Sequence, residues 1–216
     1  SDALAGIAPD EIADPRPWAE IMRQWSTLHP EFAHLPRKFK IAITGASEDR
    51  AAIGWHDVGL RLWHHPQDGL GFRVQAGGGM GRTPIIGRVL REFLPAADIL
   101  CYLEALIRTY NRWGRRDNLY KARIKILIKA EGQRFIDELE QEYQRIIEHG
   151  AAHRVSEAEV QRVQGQFFRP PEPVDHSNAE LKLARILQAA AQDDTEFVRW
   201  LQRNVSAHRN PQLRAV

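Results

Sequence analysis

Apolar residues recur every three to four positions over 15–28, at Trp18, Ile21, Met22 and Trp25, which predicts a helix before the turn at His29-Pro30. The period then shortens. Over 38–45 and again over 56–63 the apolar residues alternate, the second run through Val58, Leu60 and Leu62, as half-buried strands require. Asp68-Gly69 is a hairpin signal, and a third strand is predicted over 70–76. Thr83 and Pro84 suit the N-cap and first residue of a helix running to about Phe93. Pro95 opens a long helix with Ile99, Leu103, Leu106, Ile107 and Tyr110 on its apolar face, and Gly114 ends it. Asp117 is placed to cap a helix through Lys129, and Gly132 separates that helix from another ending near Gly150. Ser156-Glu157-Ala158-Glu159 forms a capping box, 168–173 is a stiff Pro-rich connector, and two last helices are expected over 179–191 and 195–205. Strand signals are confined to about 38–77. The expected class is therefore α+β or layered αβα, a sheet flanked by helices.

The 216 residues, 43% hydrophobic and 27% charged, suffice for one sizeable core or two small ones. No apolar run is long enough to cross a bilayer, and residues 1–10 lack the basic-then-apolar order of a secretory signal, so a cytoplasmic protein with no membrane partner is expected. With 30 Lys+Arg against 28 Asp+Glu the formal charge is +2, which supplies no global field for nucleic acid. Cys101 is the only cysteine, so an internal disulfide is excluded, as is any cluster or zinc site built on several thiolates of this chain. Its apolar neighbours suggest a buried, inert thiol. The nine histidines show no repeated ligand spacing, so no metal site is expected from them.

Local charge is more informative. In an extended segment Lys38 and Lys40 share one face and Arg37 and Phe39 the other. Two ammonium groups roughly 7 Å apart repel by about 2 kcal/mol at an effective dielectric of about 20, and a bound anion would reverse that sign. A solvated edge strand defended by lysines is the competing explanation. The run Gly77-Gly78-Gly79-Met80-Gly81-Arg82 before the expected helix at Thr83 suits either an anion cradle or a sharp turn with positive φ angles. It matches neither the Walker loop nor the dinucleotide fingerprint. A third block, Gly114-Arg115-Arg116-Asp117-Asn118 followed by Lys121, Arg123 and Lys125, gathers cations at an expected helix start, where the macrodipole disfavours them. It serves either an anion or a solvated face.

Taken together, Leu-Pro-Arg-Lys-Phe-Lys at 35–40, Gly-Gly-Gly-Met-Gly-Arg-Thr-Pro at 77–84, and Gly-Arg-Arg-Asp-Asn with Lys-Ala-Arg-Ile-Lys across 114–125 resemble the sirohaem-dependent sulfite and nitrite reductases. His56-Asp57-Val58-Gly59, Phe93-Leu94-Pro95, Phe168-Arg169-Pro170-Pro171 and the segment 197–205 fit the same pattern. The resemblance implies that 1–150 is the first αβα half-domain of such a haemoprotein and that 151–216 leads toward a second half. It implies an oxidoreductase that reduces sulfite to sulfide or nitrite to ammonia with sirohaem and a 4Fe-4S cluster, fed by ferredoxin or a flavoprotein. By the same resemblance Lys38, Lys40 and Arg37 hold the substrate anion, Gly77, Gly78, Gly79 and Arg82 run close to sirohaem, and Arg116, Asn118, Lys121, Arg123 and Lys125 are contacts to its acidic rim. The family's four-cysteine motif and its amino-terminal ferredoxin-like region have no counterpart here. The chain is accordingly expected to be a fragment, retaining neither cofactor and inactive without the remaining domains of its parent. A basic module that binds nucleic acid or another anion without catalysis is the alternative.

Overall fold

The computed structural model describes residues 2–167, 185, 188–189, 194–207 and 214–215. They fall into two compact units, the first comprising 2–6 and 10–167, the second 7–9 and the described residues beyond 167.

In the first unit, α1 (Arg16–Thr27) starts with Pro17 in its first turn, where a missing N–H costs nothing, and buries Trp18, Ile21 and Met22. A one-turn helix, α2 (Pro30–Ala33), follows. Then come β1 (Ile41–Thr44), β2 (Val58–His65), β3 (Gly69–Ala76) and β4 (Arg88–Pro95), which form one sheet in that order. β1 lies parallel to β2, whereas β2–β3 and β3–β4 are antiparallel, so the sheet is mixed. The hairpin turn sits at Asp68-Gly69, with Gly69 at φ 75. The register explains the alternation in the sequence: Val58, Leu60 and Leu62 pair with Ala76, Val74 and Phe72, and all six are fully buried. The opposite face carries the polar Arg61, Arg73 and Gln75.

Helices supply the rest of the core. α3 (Ile99–Trp113) follows a 3-10 turn at Ala96–Asp98 and buries most of its surface. α4 (Ile124–Glu131) and α5 (Gln133–Glu148) meet at Gly132, and Tyr102 of α3 meets Tyr143 of α5 edge-on at 5.2 Å. Glu140 of α5 accepts from both Arg91 of β4 and the Tyr102 hydroxyl, tying sheet to helices. α6 (Glu157–Phe167) packs against α1, so the first unit continues to Phe167. In the second unit α7 (Thr195–Asn204) is capped by the Asp194 carboxylate, which accepts from the Phe197 N–H at 2.9 Å. A two-residue ladder joins β5 (Ser206–Ala207) to β6 (Arg214–Ala215). The expected connector at 168–173 and the helix over 179–191 lie outside the described residues, apart from 185, 188 and 189.

Three expectations are corrected. Residues 88–95 form β4, not the end of a helix begun at Thr83. β3 is buried over Gly71, Phe72, Val74, Gln75 and Ala76, and its outer edge of backbone donors and acceptors needs a partner, which overrides the local helix signal. The sheet therefore extends beyond residue 77. The helix expected from Asp117 starts only at Ile124, because Asp117 pairs with Arg115 instead of capping. Lys38 and Lys40 precede β1, since pairing to β2 begins at Ile41↔Val58.

Phe72 is fully buried and receives Trp18 edge-on at 5.3 Å, so Phe72→Ala should destabilise the chain by about 3–5 kcal/mol in urea unfolding. A loss below about 1 kcal/mol would mean that the sheet and α1 do not share this core.

Candidate functional site

A concavity of about 920 Å³ opens where the segment before β1, the loop between β3 and β4, and the start of α4 converge. Arg37, Lys38, Lys40, Arg82, Arg123 and Lys125 line it, and no carboxylate does. All three basic blocks thus contribute to one wall. Lys38 and Lys40 are exposed while Arg37 and Phe39 are half-buried, the alternation expected of an extended backbone. Phe39 anchors the segment by stacking on Tyr110 of α3 at 5.9 Å. The Tyr110 hydroxyl donates to the Ala122 carbonyl at 2.7 Å, and burial, with help from the nearby Asp57 charge, pushes its pKa up to about 12. Apolar surface completes the rim, with Trp55, Met80, Leu119 and Tyr120 all exposed.

The glycine run makes a closed loop rather than a helix start. Gly79 and Ile85 exchange backbone hydrogen bonds of 2.9 and 3.0 Å, leaving 80–84 to project toward the concavity. No helix follows, so the macrodipole adds nothing to an anion cradle here. Positive charge comes from α4 instead. The Lys125 ammonium, buried, donates to the carbonyls of Thr83 at 2.7 Å and Met80 at 3.0 Å. Its pKa lies below the ordinary lysine value because of burial, and the Arg123 charge adds to that. Arg123 fills the space that a side chain on Gly79 would occupy.

One residue joins the three blocks. The Asp57 carboxylate has no exposed surface; it accepts from the Lys40 backbone N–H at 3.0 Å and from the Arg123 guanidinium at 2.8 Å. The Asp57 carbonyl accepts from the Gly77 N–H at 2.9 Å. A buried carboxylate needs such partners, and these fix the relative placement of the lysine segment, the glycine loop and α4. In the sequence Asp57 stands out only as part of the His56-Asp57-Val58-Gly59 motif, and nothing local assigns its carboxylate a role.

The other sequence-identified residues stand apart from the concavity. Gly77, Gly78 and Gly79 are buried behind it, Gly77 at φ 84 and Gly78 against the carbonyls of Gly54 and His56. Arg116 donates to the His34 carbonyl at 2.6 Å, Asn118 accepts from the Tyr120 N–H, and Lys121 is exposed in the turn before α4. Lys121 therefore does not share a helix face with Lys125. A Cβ on Gly78 would lie 2.3 Å from the Gly54 carbonyl oxygen, which is backbone and cannot swing aside. Gly78→Ala should cost about 1–3 kcal/mol in urea unfolding, and an unchanged midpoint would contradict this close approach.

The donor set accommodates one of the two implied groups. An acidic tetrapyrrole such as sirohaem asks for cations around apolar surface, and the concavity provides both, together with a buried Arg123 Nε that has no partner. A 4Fe-4S cluster asks for four thiolates. Cys101 is the only cysteine in the sequence, is fully buried, and has its thiol pKa raised by burial, so this chain cannot hold the cluster alone.

Comparison with known proteins bears on the same residues. The model of the nitrite and sulphite reductase 4Fe-4S domain matches residues 1–147. Sulfite reductase [ferredoxin] 1 of Mycolicibacterium paratuberculosis is 34% identical over 167 residues, covering 74% of this chain and 30% of the relative. The chloroplastic ferredoxin–nitrite reductase of Arabidopsis thaliana is 30% identical over 146 residues, covering 60% and 23%. The solved structure of Mycobacterium tuberculosis NirA superposes with a TM-score of 0.58 at 33% identity, covering 66% of this chain and 26% of that one. The chain thus spans less than a third of the length of these relatives. Across the residues that build the concavity, the chain belongs to the nitrite and sulphite reductase 4Fe-4S domain family.

Proposed function

We propose that this chain supplies one wall of the sirohaem and substrate site of a reductase that converts sulfite to sulfide or nitrite to ammonia. The observation that carries this reading is the wall itself, six cations and no carboxylate around a single concavity. Lys38 and Lys40 face the anion, with Arg37 beside them in the same lining. Their charge draws in the oxyanion, offsets the negative charge that accumulates on reduction, and places ammonium protons within reach of its oxygens. Arg82 faces the carboxylates of the tetrapyrrole, Arg123 and Lys125 add positive charge from behind the loop, and Trp55 and Met80 offer apolar contact to the ring. Gly77, Gly78 and Gly79 act through their backbone, letting the loop pack closely on the chain beneath it, while Arg116, Asn118 and Lys121 lie outside the concavity. When bound, sirohaem would supply the electron-carrying iron chemistry that no side chain of this protein provides.

The cluster ligands and the facing wall come from other segments of a longer parent protein, and electrons from a ferredoxin or flavoprotein donor. The isolated chain should therefore reduce neither sulfite nor nitrite when supplied with sirohaem and a chemical reductant. Catalytic turnover by it alone would show that the missing segments are dispensable.

In the full-length parent enzyme, Lys38→Ala and Lys40→Ala should each lower turnover about 100-fold, the effect of removing one preorganised charge partner, while the sirohaem absorbance spectrum is retained. Unchanged turnover in both variants would remove the lysines from the reaction. Loss of haem in both would assign them to cofactor binding instead.

A further inference from the structure

Remote from the concavity, two histidines and a carboxylate meet on α3. The side-chain donors of His29, Glu104 and His153 all lie within 4.8 Å of one another. His29 Nε2 is 3.8 Å from one Glu104 oxygen and His153 Nε2 is 3.5 Å from the other. The residues come from the turn between α1 and α2, from α3, and from the loop before α6, so no regular sequence spacing announces them. We propose that His29, Glu104 and His153 form a binding site for a divalent transition ion of the zinc class, with water in the remaining position.

The donor chemistry fits such an ion. Two imidazole nitrogens and one carboxylate oxygen make a set that zinc accepts in tetrahedral geometry with one position open. Glu104 is buried, with a side chain 6% exposed, and Arg108 donates to its Oε1 at 2.5 Å, leaving Oε2 toward His153. A ligating carboxylate whose second oxygen is held by a hydrogen-bond donor is the usual supporting arrangement. Arg108 also donates to Glu142, so its charge is shared rather than set wholly against an incoming cation.

Both histidines are held in place independently of Glu104. Arg154 pairs with Asp98 at 2.6 Å, and the Val155 N–H donates to the Ala97 carbonyl at 2.8 Å, fastening the chain just beyond His153. Asn111 of α3 donates to the Glu31 carbonyl at 2.8 Å, fastening the turn after His29. Trp25 lies against both imidazoles, at 4.8 and 6.2 Å between ring centres, and shields one side of the cluster from water. His153, 39% exposed, leaves the other side open for the ion and its water. Coordination through Nε2 puts the His29 proton on Nδ1, so the long 3.3 Å contact from the Glu31 N–H is given up on binding.

The test uses the metal-stripped chain titrated with Co²⁺ and Zn²⁺. Expected are a visible Co²⁺ absorption of four-coordinate type that Zn²⁺ displaces, and a rise in Tm with Zn²⁺. His153→Ala and Glu104→Gln should each weaken Zn²⁺ binding at least about tenfold, whereas His149→Ala, which alters an exposed histidine outside the cluster, should not. Should Glu104→Gln fail to fold, the half-exposed His153→Ala decides alone. Absence of both the Co²⁺ absorption and the Zn²⁺-dependent Tm rise, or full Zn²⁺ affinity in His153→Ala, would overturn the assignment. Because no haem or oxyanion enters the experiment, its outcome is independent of the proposed reductase function.

Discussion

A carboxylate with no exposed surface must be partnered, and the partners of Asp57 decide the geometry of everything around it. Its two oxygens take the Lys40 N–H and the Arg123 guanidinium, and its carbonyl takes the Gly77 N–H. Removing one member of a buried ion pair typically costs about 3–5 kcal/mol, because the other charge is left without compensation. Three segments far apart in sequence are thereby held together by one residue. Asp57 immediately precedes β2, whose Val58 and Leu60 are fully buried in the sheet, so the tie is anchored in the core.

The arrangement spends its single negative charge behind the wall and leaves the front positive. Arg123 and Lys125 are partly satisfied by Asp57 and by loop carbonyls, while Lys38, Lys40 and Arg82 have no carboxylate partner among the described residues. Such crowding of like charge is unfavourable in the empty protein and favourable once an anion is present. Under the proposed function, the same surplus would serve both an oxyanion and an acidic macrocycle. The glycine run contributes by what it lacks: Gly79 makes room for Arg123, and Gly78 lets the loop lie on the backbone beneath it.

Much of the fold was legible because its periodicities are undisturbed. The Trp18, Ile21, Met22 repeat gave α1, the alternation at Val58, Leu60 and Leu62 gave β2, Asp68-Gly69 gave the hairpin, and Gly114 and Gly132 marked helix ends. Residues 88–95 depart from the local signal because Thr83-Pro84 imitates a helix start while the demand that makes β4 a strand, the open edge of β3, is tertiary. Asp117 misled similarly, since Arg115 two residues earlier claims its carboxylate. Alternation alone made legible that Lys38 and Lys40 share an exposed face. That Lys125 would turn inward to loop carbonyls while Arg116 reached back to His34 was not, because helix geometry says nothing about where a loop will return. Asp57 and the His29–Glu104–His153 group escaped for the same reason: each acts through contacts between distant segments.

The most direct measurement of this account is a double-mutant cycle between Asp57 and Arg123, with Asp57→Ala, Arg123→Ala and the double variant unfolded in urea. If the buried pair unites the lysine segment, the glycine loop and α4, the two substitutions should couple by about 2–3 kcal/mol, near the upper end for residues in contact. Additivity to within about 0.5 kcal/mol would contradict it, and would mean that the three basic segments are held around the concavity by something else.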